Sequence, residues 1–385
     1  MKSVFVKLMA AFFAAAALSS CSAPAPAKVA APALPKAKKV KIGLYVDKGA
    51  NGNGVFHLAS LIAHSPQTEL VTLMAKDIQE GKLNTVDVLL MPGGGSYEQC
   101  AAIGKAHHDK IRDFLRKGGA FVGTCAGMFN VLGCRLKLLP FDRYNGAGGS
   151  TAHVTVEVSK EGAKVLGIAP GNRVVRYSGG PLAYPTDPAK CEGKGISLGA
   201  YKSSVSRSTK HLDKFIGSSG WIYGTFGKGK IIATSFHPEY WDSTHDMMLG
   251  CFYAVTGVKM TPVFPKKNRR PLRVGIYSVG INGHDVIKTM LDLERHPDID
   301  LHYVMTAEVN QGLLRHLDYF VMPNGVGNFI KKYANRPFTK KVLKDFVDRG
   351  GIILAGGNAA KALPDHKNIK KLPAKVDFKK YILKK

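Results

Sequence analysis

Acidic residues are scarce in this 385-residue chain: 28 Asp and Glu stand against 55 Lys and Arg, a formal net charge of +27. So basic a balance raises nucleic acid as a partner. That reading needs a basic stripe with interleaved aromatics or a known module, and the sequence offers neither, so nucleic acid is not expected. The lysines are spread widely, with a concentration in the C-terminal KNIKKLPAKVDFKKYILKK. They read either as a solvated cationic surface or as attraction to anionic lipid headgroups and envelope polymers. Cysteine is sparse too, at six. No two lie at a zinc-finger spacing, which excludes a structural zinc site; neither metal nor cofactor is expected. Apolar runs are short. The one near the N-terminus, Leu8–Leu18, falls below a comfortable membrane span.

What the N-terminus does have is an order. Lys2 and Lys7 precede the apolar run, and small residues follow it, as in a secretory signal. Its exit, LSSC, resembles the lipobox of bacterial lipoproteins. In that family the signal is cut before the cysteine, here Cys21, which receives the lipid. The resemblance implies a signal over 1–20 and an envelope protein, periplasmic or on the outer surface, anchored to the membrane through Cys21. Residues 21–40, rich in Ala, Pro and Lys, have little to bury and form a tether. Export permits disulfides among Cys100, Cys125, Cys134, Cys191 and Cys251. An odd number leaves at least one thiol unpaired within the chain.

The remaining length suits two domains, and the chain repeats itself. KIGLY (41–45) matches RVGIY (273–277), VDVLLMPGGG (86–95) matches LDYFVMPNGV (317–326), and IRDFLRKGGAFVGT (111–124) matches LKDFVDRGGIILAG (343–356). Three matches in order at offsets of 231 or 232 mark a true repeat. Each copy alternates β-branched runs with helical patterns. The fold class is therefore α/β: a parallel-sheet, flavodoxin-like or Rossmann-like three-layer sandwich, once in full (41–258) and once shorter and degenerate (272–366). A Pro-rich basic linker, 259–271, joins them, and 367–385 reads as a basic tail.

In parallel sheets, sites form at the carboxyl ends of the strands. PGGG and GTCAG both fall there. FVGTCAGMFN places Cys125 on a small-residue turn between a strand and a helix, the logic of a nucleophile elbow. On its own letters Cys125 reads as well as a core cysteine. Downstream, FHPEY supplies His237 and, two residues on, Glu239, so that an extended backbone sets both side chains on one side. His237 could take the thiol proton while Glu239 fixes its tautomer.

MPGGG, GTCAGM and FHPEY in that order resemble the class I glutamine amidotransferase fold. More closely, with YSGGP at 177–181, they resemble the N-terminal domain of some biotin–protein ligases. The resemblance covers about 41–258. It implies a Cys125–His237–Glu239 triad and an oxyanion hole of backbone N–H groups near Gly94, Gly95 and Ala126. Arg143, Tyr144, Arg176, Tyr177, Gly179 and Gly180, between elbow and HPE, are candidate substrate contacts. In the second copy the position of Cys125 holds Gly357, with no HPE to follow, so that copy cannot run this chemistry. Nothing else in the chain resembles a synthetase or a biotin-ligase catalytic domain, so the amidotransferase reaction is not expected to accompany the fold. Two functions remain open: a Cys-dependent hydrolase of an amide or γ-glutamyl-type bond, or a non-catalytic binding protein for a small ligand or envelope polymer. The lipid assignment predicts that palmitate labels the wild-type protein and not Cys21→Ser; equal labelling of both would overturn it.

Overall fold

The short β-branched runs and the amphipathic stretches between them fold as alternating strands and helices. The computed structural model describes residues 38–384 except 134, 145–150, 206–211, 282 and 327–335. The expected signal, Cys21, most of the expected tether and Cys134 lie outside the described residues.

The first copy opens with β1 (Val40–Tyr45), α1 (Asn53–Ala63), β2 (Thr68–Leu73), α2 (Ala75–Gln79), β3 (Val88–Met91), α3 (Ser96–Ile103), α4 (His108–Arg116), β4 (Ala120–Thr124) and α5 (Ala126–Val131). Every residue of β3 and β4 is buried, as expected of central parallel strands covered on both faces. On α4, Ile111, Phe114 and Leu115 are buried, the i, i+3, i+4 stripe of an amphipathic helix. A long excursion follows: β5 (Phe141–Tyr144), β6 (Thr151–Val158), α6 (Lys160–Leu166), β7 (Gly171–Ser178), β8 (Leu182–Pro185), β9 (Lys194–Tyr201), α7 (Leu212–Phe215) and β10 (Ser219–Phe226). The chain then returns to the sheet centre as β11 (Gly229–Thr234) and closes with α8 (His245–Thr256).

The strand order is β2-β1-β3-β4-β11-β10-β9-β6-β7, with β5 and β8 paired off this path. From β2 to β11 every pairing is parallel. From β11 outward every pairing is antiparallel. The expected parallel α/β sheet is present, and the antiparallel pairing of this wing is an addition to it, its short strands being specified by one another. An isolated bridge between Arg176 and His237 brings the last wing strand back to the end of β11. Tyr177, Tyr201, Phe215, Trp221 and Phe236 fill the interior of the wing.

The second copy comprises β12 (Leu272–Tyr277), α9 (His284–Glu294), β13 (Ile299–Val304), α10 (Thr306–Asn310), β14 (Tyr319–Met322), α11 (Pro337–Asp348), β15 (Ile352–Gly356), β16 (Ile369–Leu372) and α12 (Lys379–Ile382). Its sheet, β13-β12-β14-β15-β16, is wholly parallel and repeats the order of the first. The registers repeat too: Val40 pairs with Thr68 as Leu272 does with Ile299. The strand β16 takes the place of β11. It lies inside the segment read as a basic tail, which is thereby corrected. Ile369 is buried while Lys370 and Lys371 face solvent, so the lysines mask the strand in the sequence and protect an edge in the fold. Phe378 and Ile382 are buried beyond it.

The copies dock through equivalent elements. Gly52 N–H donates to the Ser278 carbonyl at 3.2 Å, and Gly283 N–H to the Val46 carbonyl at 2.8 Å. By the repeat offset these are the same bond made in both directions, the signature of an isologous contact. Because the C-terminal segment is core rather than tail, Phe378→Ala should cost about 3 kcal/mol in denaturant unfolding; a neutral effect would return that segment to a solvated tail.

Candidate active site

The site begins with a backbone constraint. Cys125, between β4 and α5, has φ 50° and ψ −101°, a left-handed φ that non-glycine residues rarely adopt. Its N–H donates to the Thr234 carbonyl at 2.7 Å, extending the parallel pairing of β4 with β11 by one residue. Three residues past Thr234 stands His237, whose N–H donates to the Arg176 carbonyl at 2.8 Å. Strand end, elbow and wing thus meet at one point.

His237 Nδ1 lies 2.8 Å from Glu239 Oε1, leaving Nε2 as the ring nitrogen outside that pair, and the Cys125 side chain is near enough to act on the imidazole's charge. Burial alone would lower the imidazole pKa. The Glu239 carboxylate and then Cys125 outweigh it, and His237 is pushed up to about 10. Cys125 Sγ also lies 3.7 Å from the Ser178 carbonyl. Glu239 is wholly buried, and its Oε2 has no hydrogen-bond partner among the described residues. A lone buried carboxylate is costly. Here the imidazole faces it on one side and the N-terminal turn of α1, the positive end of a helix, on the other.

Two glycines make this fit. A Cβ on Gly93 would stand 2.7 Å from His237 Cε1, and one on Gly54 would stand 2.5 Å from Glu239 Oε1. Neither was singled out in the sequence, where only the PGGG run hints at Gly93 and nothing at Gly54. Tyr240, next to the HPE, was also passed over. Its ring is edge-on to His237 at 5.2 Å, lies 5.2 Å from His57, and carries the Arg176 guanidinium 4.6 Å above it.

The other expected residues divide. Gly95 N–H is committed to the Gly49 carbonyl at 2.8 Å and so cannot serve an oxyanion, a correction to the expected donor set. Gly94, at φ 132°, forms an isolated bridge with Ala50 whose hydrogen bonds are made by its neighbours, leaving its own N–H outside them. Ala126 opens α5, where N–H groups lack helical acceptors. Tyr177 is a core residue, not a substrate contact: it is fully buried and its hydroxyl donates to the Gly180 carbonyl at 2.7 Å. Gly180 is pressed against the Ser235 carbonyl, leaving no space for a side chain, and Gly179 makes a left-handed turn at φ 74°. Both serve the turn that presents Ser178. Arg143 lies over the Phe129 ring at 5.6 Å, beside α5, and Tyr144 is edge-on to Tyr184. No disulfide joins any two of Cys100, Cys125, Cys191 and Cys251. Among the described residues no group of His, Cys, Asp and Glu is arranged for a metal ion.

The second copy repeats the elbow without its chemistry. Gly357 sits at φ 53°, and its N–H donates to the Leu372 carbonyl at 3.0 Å, as Cys125 does to Thr234. Asn324 replaces Gly93. Its amide oxygen accepts from the Asn358 N–H at 3.1 Å, and Asn358 is the counterpart of Ala126. The residues after β16, Pro373-Ala374-Lys375, stand where Ser235-Phe236-His237 do.

Residues 40–137 match the family model described as "Biotin-protein ligase, N terminal". The first copy is similar to that domain. The biotin–protein ligase of Schizosaccharomyces pombe (strain 972) is 26% identical over 175 residues, 40% of this chain and 25% of that one. The match therefore spans a quarter of that relative's length. Among solved structures, PurLQS from Thermotoga maritima aligns at 14% identity and TM-score 0.42 over 56% of this chain and 98% of its own. A glutamine amidotransferase aligns at 18% identity and TM-score 0.36 over 56% and 99%.

The raised His237 pKa gives a pH prediction. Stability from its positive charge is complete below the unfolded value of about 6.5 and is lost as pH climbs toward the folded value of about 10. Glu239→Gln removes the chief raising charge. The melting-temperature gap between wild type and Glu239→Gln should be widest near pH 6 and shrink toward pH 10. A gap independent of pH would remove the charged pair.

Proposed function

We propose that this protein is a Cys-dependent hydrolase of an amide or γ-glutamyl-type bond, held in a bacterial cell envelope through a lipid on Cys21. The observation that carries the reading is the Cys125 backbone. A side chain at that φ costs on the order of 1–3 kcal/mol, and the second copy avoids the cost with Gly357 at φ 53°. The strain is kept in the copy where His237 and Glu239 stand opposite.

In the proposed reaction His237, its pKa raised to about 10, already holds the Cys125 proton at neutral pH, and Cys125 Sγ attacks the substrate carbonyl as the thiolate. The oxyanion forms between the Ala126 and Gly94 N–H groups. Asn324 supports that assignment: in the second copy its carboxamide oxygen already occupies the N–H equivalent to that of Ala126. One such donor is worth roughly 3 kcal/mol of transition-state stabilisation. Collapse of the tetrahedral intermediate breaks the C–N bond, and His237 gives its proton to the departing amine. Water, deprotonated by His237, then cleaves the thioester, releasing the acid and restoring the thiolate beside the protonated imidazole. Glu239 holds the imidazole tautomer and balances its charge throughout. Arg176, braced on Tyr240, is assigned to an anionic part of the substrate. The basic surface adds attraction to the anionic envelope.

The test is alkylation. Iodoacetamide at neutral pH should modify Cys125 ahead of Cys100 and Cys251, although all three are buried, in peptide mass mapping, and His237→Ala should slow it at least tenfold. A Cys125 no more reactive than Cys100 and Cys251 would refute the hydrolase and favour the non-catalytic binding reading.

A further inference from the structure

The loop from β1 to α1 faces two ways. Toward the site, Asn51 N–H donates to the Gly93 carbonyl at 3.2 Å and the Gly49 carbonyl accepts from Gly95 at 2.8 Å. Gly93 packs on the His237 ring and Gly54 on Glu239. Toward the second copy, Asn51 Oδ1 accepts from Gly280 N–H at 2.9 Å. The Asn53 amide donates to the Tyr303 carbonyl at 3.1 Å and approaches Glu308 Oε1 at 3.4 Å, while its Oδ1 accepts from the Ser278 hydroxyl. Glu308 is itself fixed by the Met305 N–H at 2.6 Å. Asn53 and Ser278 are both buried, so these bonds are made away from competing water. A second bridge is aromatic: His57 lies between Tyr240 and Tyr303, at 5.2 and 4.9 Å.

From this we infer that the degenerate copy is the positioning element of the site, with Asn53 and Ser278 as positioning residues that hold Glu239 and the Gly93 turn against His237. The inference rests on the hydrolase reading for its chemistry and on the loop geometry for its mechanics. It gives the second copy a function that needs no ligand.

The isologous contact provides its own control. His284 is the counterpart of Asn53. It contacts Thr72 Oγ1 at 2.6 Å and Asp77 Oδ2 at 3.4 Å, mirroring Asn53 on Tyr303 and Glu308, yet the loop it supports carries no triad. Asn53→Ala and Ser278→Ala should each slow Cys125 alkylation by roughly tenfold or more, the scale of a small misplacement of reacting groups. His284→Ala, matched by melting temperature, should stay within about twofold of wild type. A purely structural interface would move all three alike, and that result overturns the inference, as does an unchanged rate in both Asn53→Ala and Ser278→Ala. The NMR titration of the His237 ring is followed in the same variants. It should move in Asn53→Ala and not in His284→Ala. If wild-type Cys125 proves inert, the hydrolase reading fails, while the titration still decides whether the second copy positions His237.

Discussion

The hydrogen bond from the Cys125 N–H to the Thr234 carbonyl, 2.7 Å long, is the constraint on which the site depends. It carries the β4–β11 pairing one residue past the strand and holds the backbone at a φ that cysteine would otherwise leave. The following N–H groups then face away from the sheet at the start of α5. The same bond fixes where β11 ends, and so where His237 begins. Thr234 Oγ1 donates to the Phe236 carbonyl at 2.8 Å, which shapes the three-residue step from strand to imidazole. Because the second copy makes the same bond between Gly357 and Leu372, the constraint belongs to the fold, and chemistry depends on what the fold sets around it.

What surrounds it differs by one insertion. In the first copy the chain leaves α5, builds the antiparallel wing, and only then supplies β11. The wing returns Arg176 and Ser178 to the end of that strand, giving His237 a backbone partner and Cys125 a wall. In the second copy β15 passes to β16 over residues 357–368, with no wing between. There Asn324 closes the space that Gly93 leaves open. The copies thus share the elbow backbone and diverge in the residue it carries, in the wing and in one glycine.

Cys125, His237 and Glu239 were legible in the sequence because each sits in a short segment whose local pattern restricts it: small residues around the elbow, a His-Pro-Glu step after a strand. The repeat was legible because strands of a parallel sheet are continuous apolar runs. The antiparallel pairing of the wing was not, since antiparallel strands of four to eight residues take their partners from distant parts of the chain. Tyr177 looked like a substrate contact because it falls between elbow and HPE; only the fold reveals that its hydroxyl is satisfied by Gly180 inside the core. Gly95 looked like an oxyanion donor because a glycine run does not disclose which N–H is already taken. Gly54 carried no signal at all, as its role is to be close to Glu239, 185 positions away.

The composition of α1 explains why the second copy persists without counterparts of Cys125, His237 and Glu239. Nine of its eleven residues, Asn53 to Ile62 except His57, are buried. A helix covered on nearly every side cannot lie between a sheet and water. One side rests on the first sheet, and the other needs α9 and β13 of the second copy. Removing the second copy would expose that side and free the N-terminal turn that bears on Glu239. The second copy can therefore lack the cysteine, the wing and the HPE and still be required, because the apolar surface it covers belongs to the helix that backs the candidate site.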